Sequence, residues 1–327
     1  MGRILSGIQP TGLLHLGNIK GAVENWARLQ HEYETFFCVV DWHALTTTYA
    51  DKLDLRAESE RMATELLAVG IDPKVSCLFV QSDVPEHTEL HLTFSMLTTI
   101  ARLERVPTFK EKVEQLTHKE IQTYGFFGYP VLQAADILIY MATHVPVGED
   151  QLPHIELTRE IARKFNLHFG DVFPEPEPLL AKTTRLLGLD NRKMSKSYGN
   201  TIDLCEDEET TIKKVDTMIT DPARVRRNDP GHPEICNVFS YHKGFNTPER
   251  PGEIEAACRS AEIGCRDCKR ELAEKINAYL RPYRQRRQEL IADPDRVRRI
   301  LAEGAEKARA TAGETMRVVK KAMKMIR

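Results

Sequence analysis

At 327 residues with 41% hydrophobic side chains, the chain can bury a full core and is long enough for two domains of ordinary size. No uninterrupted apolar run reaches bilayer length, and the opening MGRILSGIQPTG lacks the apolar stretch and small-residue cleavage site of a secretory signal, so a soluble cytosolic protein is expected. A formal charge of -2 excludes general electrostatic adhesion to nucleic acid, although an average hides asymmetry along the chain.

In chain order, Arg3 to Ser6 reads as a short strand, Gly7-Ile8-Gln9-Pro10-Thr11-Gly12 as a loop of turn residues, and the apolar spacing from about Leu16 to Leu29 as a helix. The runs Phe36 to Val40 and Cys77 to Gln81, separated by a helical stretch from Leu53 to Val69, announce a parallel βαβ sheet. Phe173 to Pro178 reads as a rigid proline loop, after which strand signals fade; a second polar stretch runs from Asp221 to Glu234. From Leu272 onward the pattern is helical, with Pro282 and Pro294 as expected helix boundaries. The expectation is an α/β unit over 1–200 and an all-α unit over 201–327, the latter with a basic tail that includes Arg281, Arg287, Arg298 and Lys320. That tail fits a solvated helix face or contacts to phosphates.

Two short motifs carry chemistry. His15-Leu16-Gly17-Asn18 stands where the first loop meets the first helix, and a helix tip offers unpaired N–H groups and partial positive charge to a phosphate, with Gly17 allowing close approach. Alone, such a stretch is more often only a helix cap. Lys193-Met194-Ser195-Lys196-Ser197 brings two ammonium groups on a Ser-rich loop, suited to neutralising the charge that develops on a departing pyrophosphate. An exact five-residue string arises by chance in a chain of this length on the order of once in ten thousand. Neither a P-loop nor a G-x-G-x-x-G fingerprint is present.

Between them, Tyr129 to Tyr140 reads as an apolar helix in which Gln133 and Asp136 share one face at i, i+3 spacing. A carboxylate there needs a partner: a neighbouring Lys or Arg, or a substrate group that can only donate, such as an indole N–H. Cys38 and Cys77 sit in apolar runs and read as buried strand residues, whereas Cys236, Cys258, Cys265 and Cys268 form Cys-x21-Cys-x6-Cys-x2-Cys. In a reducing compartment, such a set suits tetrahedral zinc or an iron–sulfur cluster, and spacing alone does not separate them.

Together, HLGN and KMSKS resemble the two signatures of class I aminoacyl-tRNA synthetases. The stretches GIQPTG and Val145-Pro146-Val147-Gly148-Glu149-Asp150-Gln151 are similar to the bacterial tryptophanyl-tRNA synthetases, and the likeness runs to the closing segment Glu303 to Ala308. The resemblance implies a Rossmann-like catalytic domain, a C-terminal helical anticodon-binding domain, and a homodimer. It implies activation of L-tryptophan by ATP with Mg2+ and transfer to tRNA(Trp). By resemblance, Gln9, Pro10, Thr11, Gly17, Asn18, Gly148, Glu149, Asp150, Leu186 and Lys193 to Ser197 line the ATP site, and Lys112 is a further phosphate-contacting lysine. Asp136, Gln133, Tyr129, His43, Val145, Val147 and Gln151 form the tryptophan pocket. Some relatives carry a 4Fe-4S cluster on nearly the same cysteine spacing, with one residue more in the first gap, which favours iron–sulfur over zinc. Tyr129, Gln133 and Asp136 also resemble the tyrosine-binding helix of tyrosyl-tRNA synthetases, and many tryptophan enzymes have Met at the place of Gln133; Asn18, where tyrosine enzymes more usually have His, points back to tryptophan. A non-catalytic tryptophan- or RNA-binding protein of the same build is the competing class, against which the complete ATP motifs weigh.

Overall fold

The computed structural model describes residues 2–107, 122–180 and 186–327. Strand β1 (Arg3–Ile8) leads into α1 (Leu16–Asn18), a single π-helical turn (Ile19–Val23) and α2 (Glu24–Leu29), so the expected helix forms with a π-turn in its middle. Then follow β2 (Glu34–Val39), α3 (Asp41–Thr48), α4 (Leu55–Val69), β3 (Ser76–Val80), α5 (Glu86–Ser95) and α6 (Ile100–Leu103). After these come α7 (Tyr124–Ile139), β4 (His144–Val147), α8 (Leu152–Phe169) and β5 (Glu177–Leu180).

The five strands pair in parallel in the order β3-β2-β1-β4-β5. Alternate residues of β2 feed two cores, Phe37 and Val39 one and Phe36 and Cys38 the other, because both faces of the sheet are covered. Strand order reverses between β1 and β4, and the crevice beyond the carboxyl ends of such a pair is where open α/β sheets take ligands. β5 lies in the segment read from sequence as proline loop, with Pro178 in register with Val145. It is an edge strand, where a residue without an N–H costs no ladder bond.

The remaining chain is helical: α9 (Glu208–Thr217), α10 (Asn237–Phe245), α11 (Arg250–Arg259), α12 (Cys265–Ala292) and α13 (Pro294–Ala322). Pro294 occupies the first turn of α13 as expected, but Pro282 lies inside α12 rather than ending it. Buried residues on both sides of the proline, Leu272, Ile276 and Leu280 before it and Leu290 after, keep the helix packed on α9 and α4. That burial offsets the roughly 3 kcal/mol an interior proline costs.

Helix α13 returns to the sheet and lies along β3. A Cβ on Gly304 would stand 1.8 Å from the Leu78 carbonyl oxygen, and Cys77 donates its thiol proton to the Gly304 carbonyl at 3.2 Å. Gly304 is therefore required by close approach of helix to strand backbone. Several basic residues of this tail are already paired within the fold: Arg281 with Glu208, Arg287 with Glu65, Arg298 with Glu60 and Lys320 with Glu89. All seven cysteines are free, and among the described residues no helix is long and apolar enough to cross a membrane.

Candidate active site

The two distant motifs touch. Leu14 to Leu16 is tied to the segment after the second motif by backbone bonds, Leu16 N–H to the Ile202 carbonyl at 2.8 Å and Leu204 N–H to the Leu14 carbonyl at 2.9 Å. His15 and Asn18 close a capping box: the Asn18 N–H donates to His15 Nδ1, and the His15 N–H to Asn18 Oδ1, both at 3.2 Å. At the helix tip, the Gly17 N–H points to Met194 Sδ at 3.2 Å, and a Cβ on Gly17 would crowd that sulfur and the His15 ring. Gly12 adopts φ of +103°, with Lys196 Nζ 3.0 Å from where its Cβ would be; the same ammonium is 3.4 Å from the Thr11 carbonyl. Pro10 is buried and Gln9 half-buried on the run up to this turn.

Charge at this junction is tuned by burial. His15 is lowered to about 4, first by burial and then by the Lys196 charge, so it is neutral at physiological pH and its Nδ1 can accept the cap bond. Burial also lowers Lys196, opposed by Asp203 and Glu65. The loop itself hangs on Asn200, which sequence reading missed. Its Oδ1 accepts the Ser195 N–H at 2.8 Å, while Nδ2 donates to the Lys193 carbonyl at 3.1 Å and to Asp190 at 2.7 Å. Ser197 lies in the 3-10 turn Lys196–Tyr198, Lys193 bridges to Leu187, and Leu186 is half-buried against the core. Lys112 falls outside the described residues.

Beside this junction, at the β1/β4 reversal, is a cleft of about 360 Å³. It brings together Gln9, His43, Tyr129, Gln133, Asp136, Val145, Val147, Gly148 and Gln151, nine of the residues expected from sequence, and adds Trp26, Asn25 and His154. Glu149 and Asp150 are exposed on the turn that follows β4 and do not line it. Asp136 is buried, and its partners are neither Lys nor Arg: Oδ2 accepts from His43 Nε2, and Oδ1 from Gln81 Nε2 and His87 Nδ1, each at 2.7 Å. Burial pushes its carboxyl up, yet the two histidines hold it at about 2. An ionised carboxylate offers about four acceptor directions, so these three donors leave one on Oδ2. His87 in turn faces the Tyr140 hydroxyl at 2.7 Å. Gln81, His87 and Tyr140 gave no sequence signal, because nothing in the spacing of buried residues from three elements foretells that they meet.

The four clustered cysteines gather where α10, α11 and α12 begin or end: Cys236 before α10, Cys258 in α11, and Cys265 and Cys268 in the first turn of α12. Burial raises the Cys236, Cys258 and Cys268 thiols, Cys268 to about 12, and each thiol is pushed further by charge on the others. Arg224 Nη1 reaches Cys258 Sγ at 3.7 Å and Cys265 Sγ at 3.8 Å. A Cβ on Gly231 would stand 2.4 Å from Cys258 Sγ. Among the described residues no three His, Cys, Asp or Glu side chains are arranged to hold a metal ion, so the thiols share a neighbourhood without a preset cage.

Residues 2–281 match the family described as tRNA synthetases class I (W and Y). The tryptophan–tRNA ligase of Thermotoga maritima is 51% identical over 326 residues, covering 99% of each chain, and that of Deinococcus radiodurans is 47% identical, covering 97% of this chain and 96% of its own. A tryptophanyl-tRNA synthetase from Campylobacter jejuni, solved in complex with ADP and tryptophan, superposes with a TM-score of 0.89 at 36% identity, covering 98% of this chain and 99% of that one. With the two motifs in contact at the mouth of a strand-end cleft and kinship along the whole length, the chain belongs to the class I tRNA synthetases of the W and Y family.

Proposed function

We infer that this chain is a tryptophan–tRNA ligase, and the observation that carries the reading is the contact of the HLGN helix tip with the KMSKS loop beside a cleft floored by a buried, ionised Asp136. In the reaction, a tryptophan carboxylate oxygen attacks the α-phosphorus of ATP, the α–β bridging P–O bond breaks, and pyrophosphate leaves with the electron pair. The tRNA 3′-terminal ribose hydroxyl then attacks the carbonyl of the adenylate, loses its proton, and displaces AMP. Catalysis of this kind is mainly positioning and charge neutralisation, and ATP is taken with Mg2+.

We assign the individual residues the following roles. The free acceptor direction of Asp136 receives the indole N–H, with Tyr129, Gln133, His43, Val145, Val147 and Gln151 shaping the pocket. The N–H groups at Gly17 and Asn18, with Gln9, Pro10, Thr11 and Gly148, take the nucleotide, and Lys193 and Lys196 neutralise pyrophosphate as it departs. Glu149, Asp150, Leu186, Met194, Ser195, Ser197 and Lys112 complete the ATP site. Tryptophan-dependent exchange of labelled pyrophosphate into ATP tests the function: exchange driven by tyrosine instead, or none at all, would overturn it.

Residues 1–200 serve activation, and the helical residues 201–327 face the anticodon. There, Cys236, Cys258, Cys265 and Cys268 would hold a 4Fe-4S cluster; a set of four neighbouring thiols is the donor chemistry such a cluster requires, with Zn2+ the alternative. Bound, it ties together the three helices that bear its ligands. Anaerobically purified protein should be brown with broad absorption at the blue end of the visible, and Cys265→Ser should remove the colour; colourless protein containing zinc would refute the cluster. A homodimer fits the large apolar side chains exposed on α5, α6 and the start of α7, Leu92, Met96, Ile100 and Tyr124 being 58%, 71%, 69% and 73% exposed. Light scattering at micromolar concentration should give twice the chain mass of 37.3 kDa, and a single-chain mass would remove the dimer.

A further inference from the structure

Glu65 has no part in the chemistry above, yet it is a fully buried acid beside it. It projects from the middle of α4 with 0% exposure, and its two oxygens serve two distant parts of the chain. Oε2 accepts the backbone N–H of Leu14, the residue immediately before His15. Oε1 pairs with Arg287 Nε at 3.2 Å, from the far end of α12. Burying a carboxylate is costly, and a purely structural contact between α4 and α12 would be served as well by apolar side chains of similar volume. What an apolar pair would not supply is an acceptor for the Leu14 N–H, in a turn where the Leu14 carbonyl and the His15 and Leu16 N–H groups are already bound.

That turn is the one that places the nucleotide-binding helix tip. The Leu14 carbonyl is taken by the Leu204 N–H, so the Leu14 peptide is held from both sides, by residue 204 through its oxygen and by Glu65 at its nitrogen. One residue on, His15 caps the helix whose tip meets Met194, and two residues back Gly12 lies against Lys196. Burial raises the Glu65 carboxyl, opposed by the Leu14 N–H, by Arg287 and, least, by the Lys196 charge.

We propose that Glu65 is a positioning residue for adenylate formation: its carboxylate, oriented by Arg287 of α12, anchors the Leu14 peptide and thereby sets the HLGN helix tip against the KMSKS loop. This rests on the adenylate-forming function inferred above. Because Glu65 does not line the cleft that holds Asp136, its removal should lower turnover without weakening tryptophan binding, since a small misplacement of reacting groups can cost up to about 100-fold in rate.

Two double variants isolate the acceptor. Glu65→Leu/Arg287→Met and Glu65→Gln/Arg287→Met both delete the ion pair, and they differ in whether an oxygen remains for the Leu14 N–H. Pyrophosphate exchange is measured with ATP and tryptophan, normalised to active sites by the burst of adenylate formed. The leucine variant should lose about 10-fold or more in kcat with the tryptophan KM within about twofold of wild type, and the glutamine variant should stay within about threefold in kcat. Equal kcat in the two variants overturns the proposal. Should the leucine variant not fold, Glu65→Asp withdraws the acceptor by one methylene while keeping the charge; a wild-type kcat there is likewise contrary, and a fall in kcat at constant tryptophan KM is supporting. Wild-type exchange in the same assay reports on the function itself, so failure of the one reading is distinguishable from failure of the other.

Discussion

Lys196→Ala should slow tryptophan-dependent pyrophosphate exchange by about 100- to 1,000-fold, the range for loss of one preorganised group aimed at developing charge, or roughly 3 to 4 kcal/mol of transition-state stabilisation. Tryptophan affinity should hardly change, because the ammonium lies over Gly12 and the Thr11 carbonyl, outside the cleft that Asp136 lines. The lysine is held there by packing and its pKa is lowered by burial, so Lys196→Arg, larger and forked, should rescue only part of the loss. Rapid-quench measurement of adenylate formation alongside equilibrium tryptophan binding gives both numbers. Parallel loss in the two would remove the transition-state role.

The second large effect belongs to Asp136. Asp136→Asn keeps one acceptor oxygen and turns the other into an N–H2, which then faces either His43 or the pair Gln81 and His87. Breaking a buried charged network in this way costs about 3 to 5 kcal/mol of stability. Selectivity should suffer as well. A pocket built around a hydrogen bond rejects an analogue lacking the donor by about 10,000-fold or more, whereas an apolar pocket manages about 10- to 200-fold. The ratio of kcat/KM for tryptophan over phenylalanine should therefore fall by about two orders of magnitude or more in the variant, and an unchanged ratio would show that Asp136 does not read the indole. The same residue sets an acid limb. Its folded pKa of about 2 lies below its ordinary value of 3.8, so its contribution is complete above about pH 4 and disappears as pH falls through about 2. Urea unfolding across that range should show the limb in wild type and a flatter profile in Asp136→Asn.

Much of this site was readable before the fold. Local rules sufficed for the strand–loop–helix opening, since turn residues, a helix cap and periodic apolar spacing are properties of contiguous sequence. They sufficed too for Gln133 and Asp136 on one helix face, because i, i+3 geometry is fixed by the helix itself. The pair HLGN and KMSKS pointed to nucleotide chemistry by residue type, and nine of the expected site residues line one cleft, with Glu149 and Asp150 outside it. Pro178 and Pro282 went the other way: proline is a breaker by local rules, but an edge position and a helix buried on both sides of the ring override it.

Sequence alone thus determined the α/β class, the two motifs and the acid of the pocket, since each depends on neighbours along the chain. Only the tertiary structure decided that Asp136 is held charged by His43 and His87 and bound by Gln81, that the KMSKS loop hangs on Asn200, and that Arg287 of a basic tail spends its charge on Glu65 beneath the helix tip. Those partners lie 93, 55, 49, 5 and 222 residues apart in the chain, and apart from the Asn200 contact no periodicity reaches across such intervals. Burial then makes each meeting obligatory, because a charge or N–H removed from water must find a partner wherever the fold provides one.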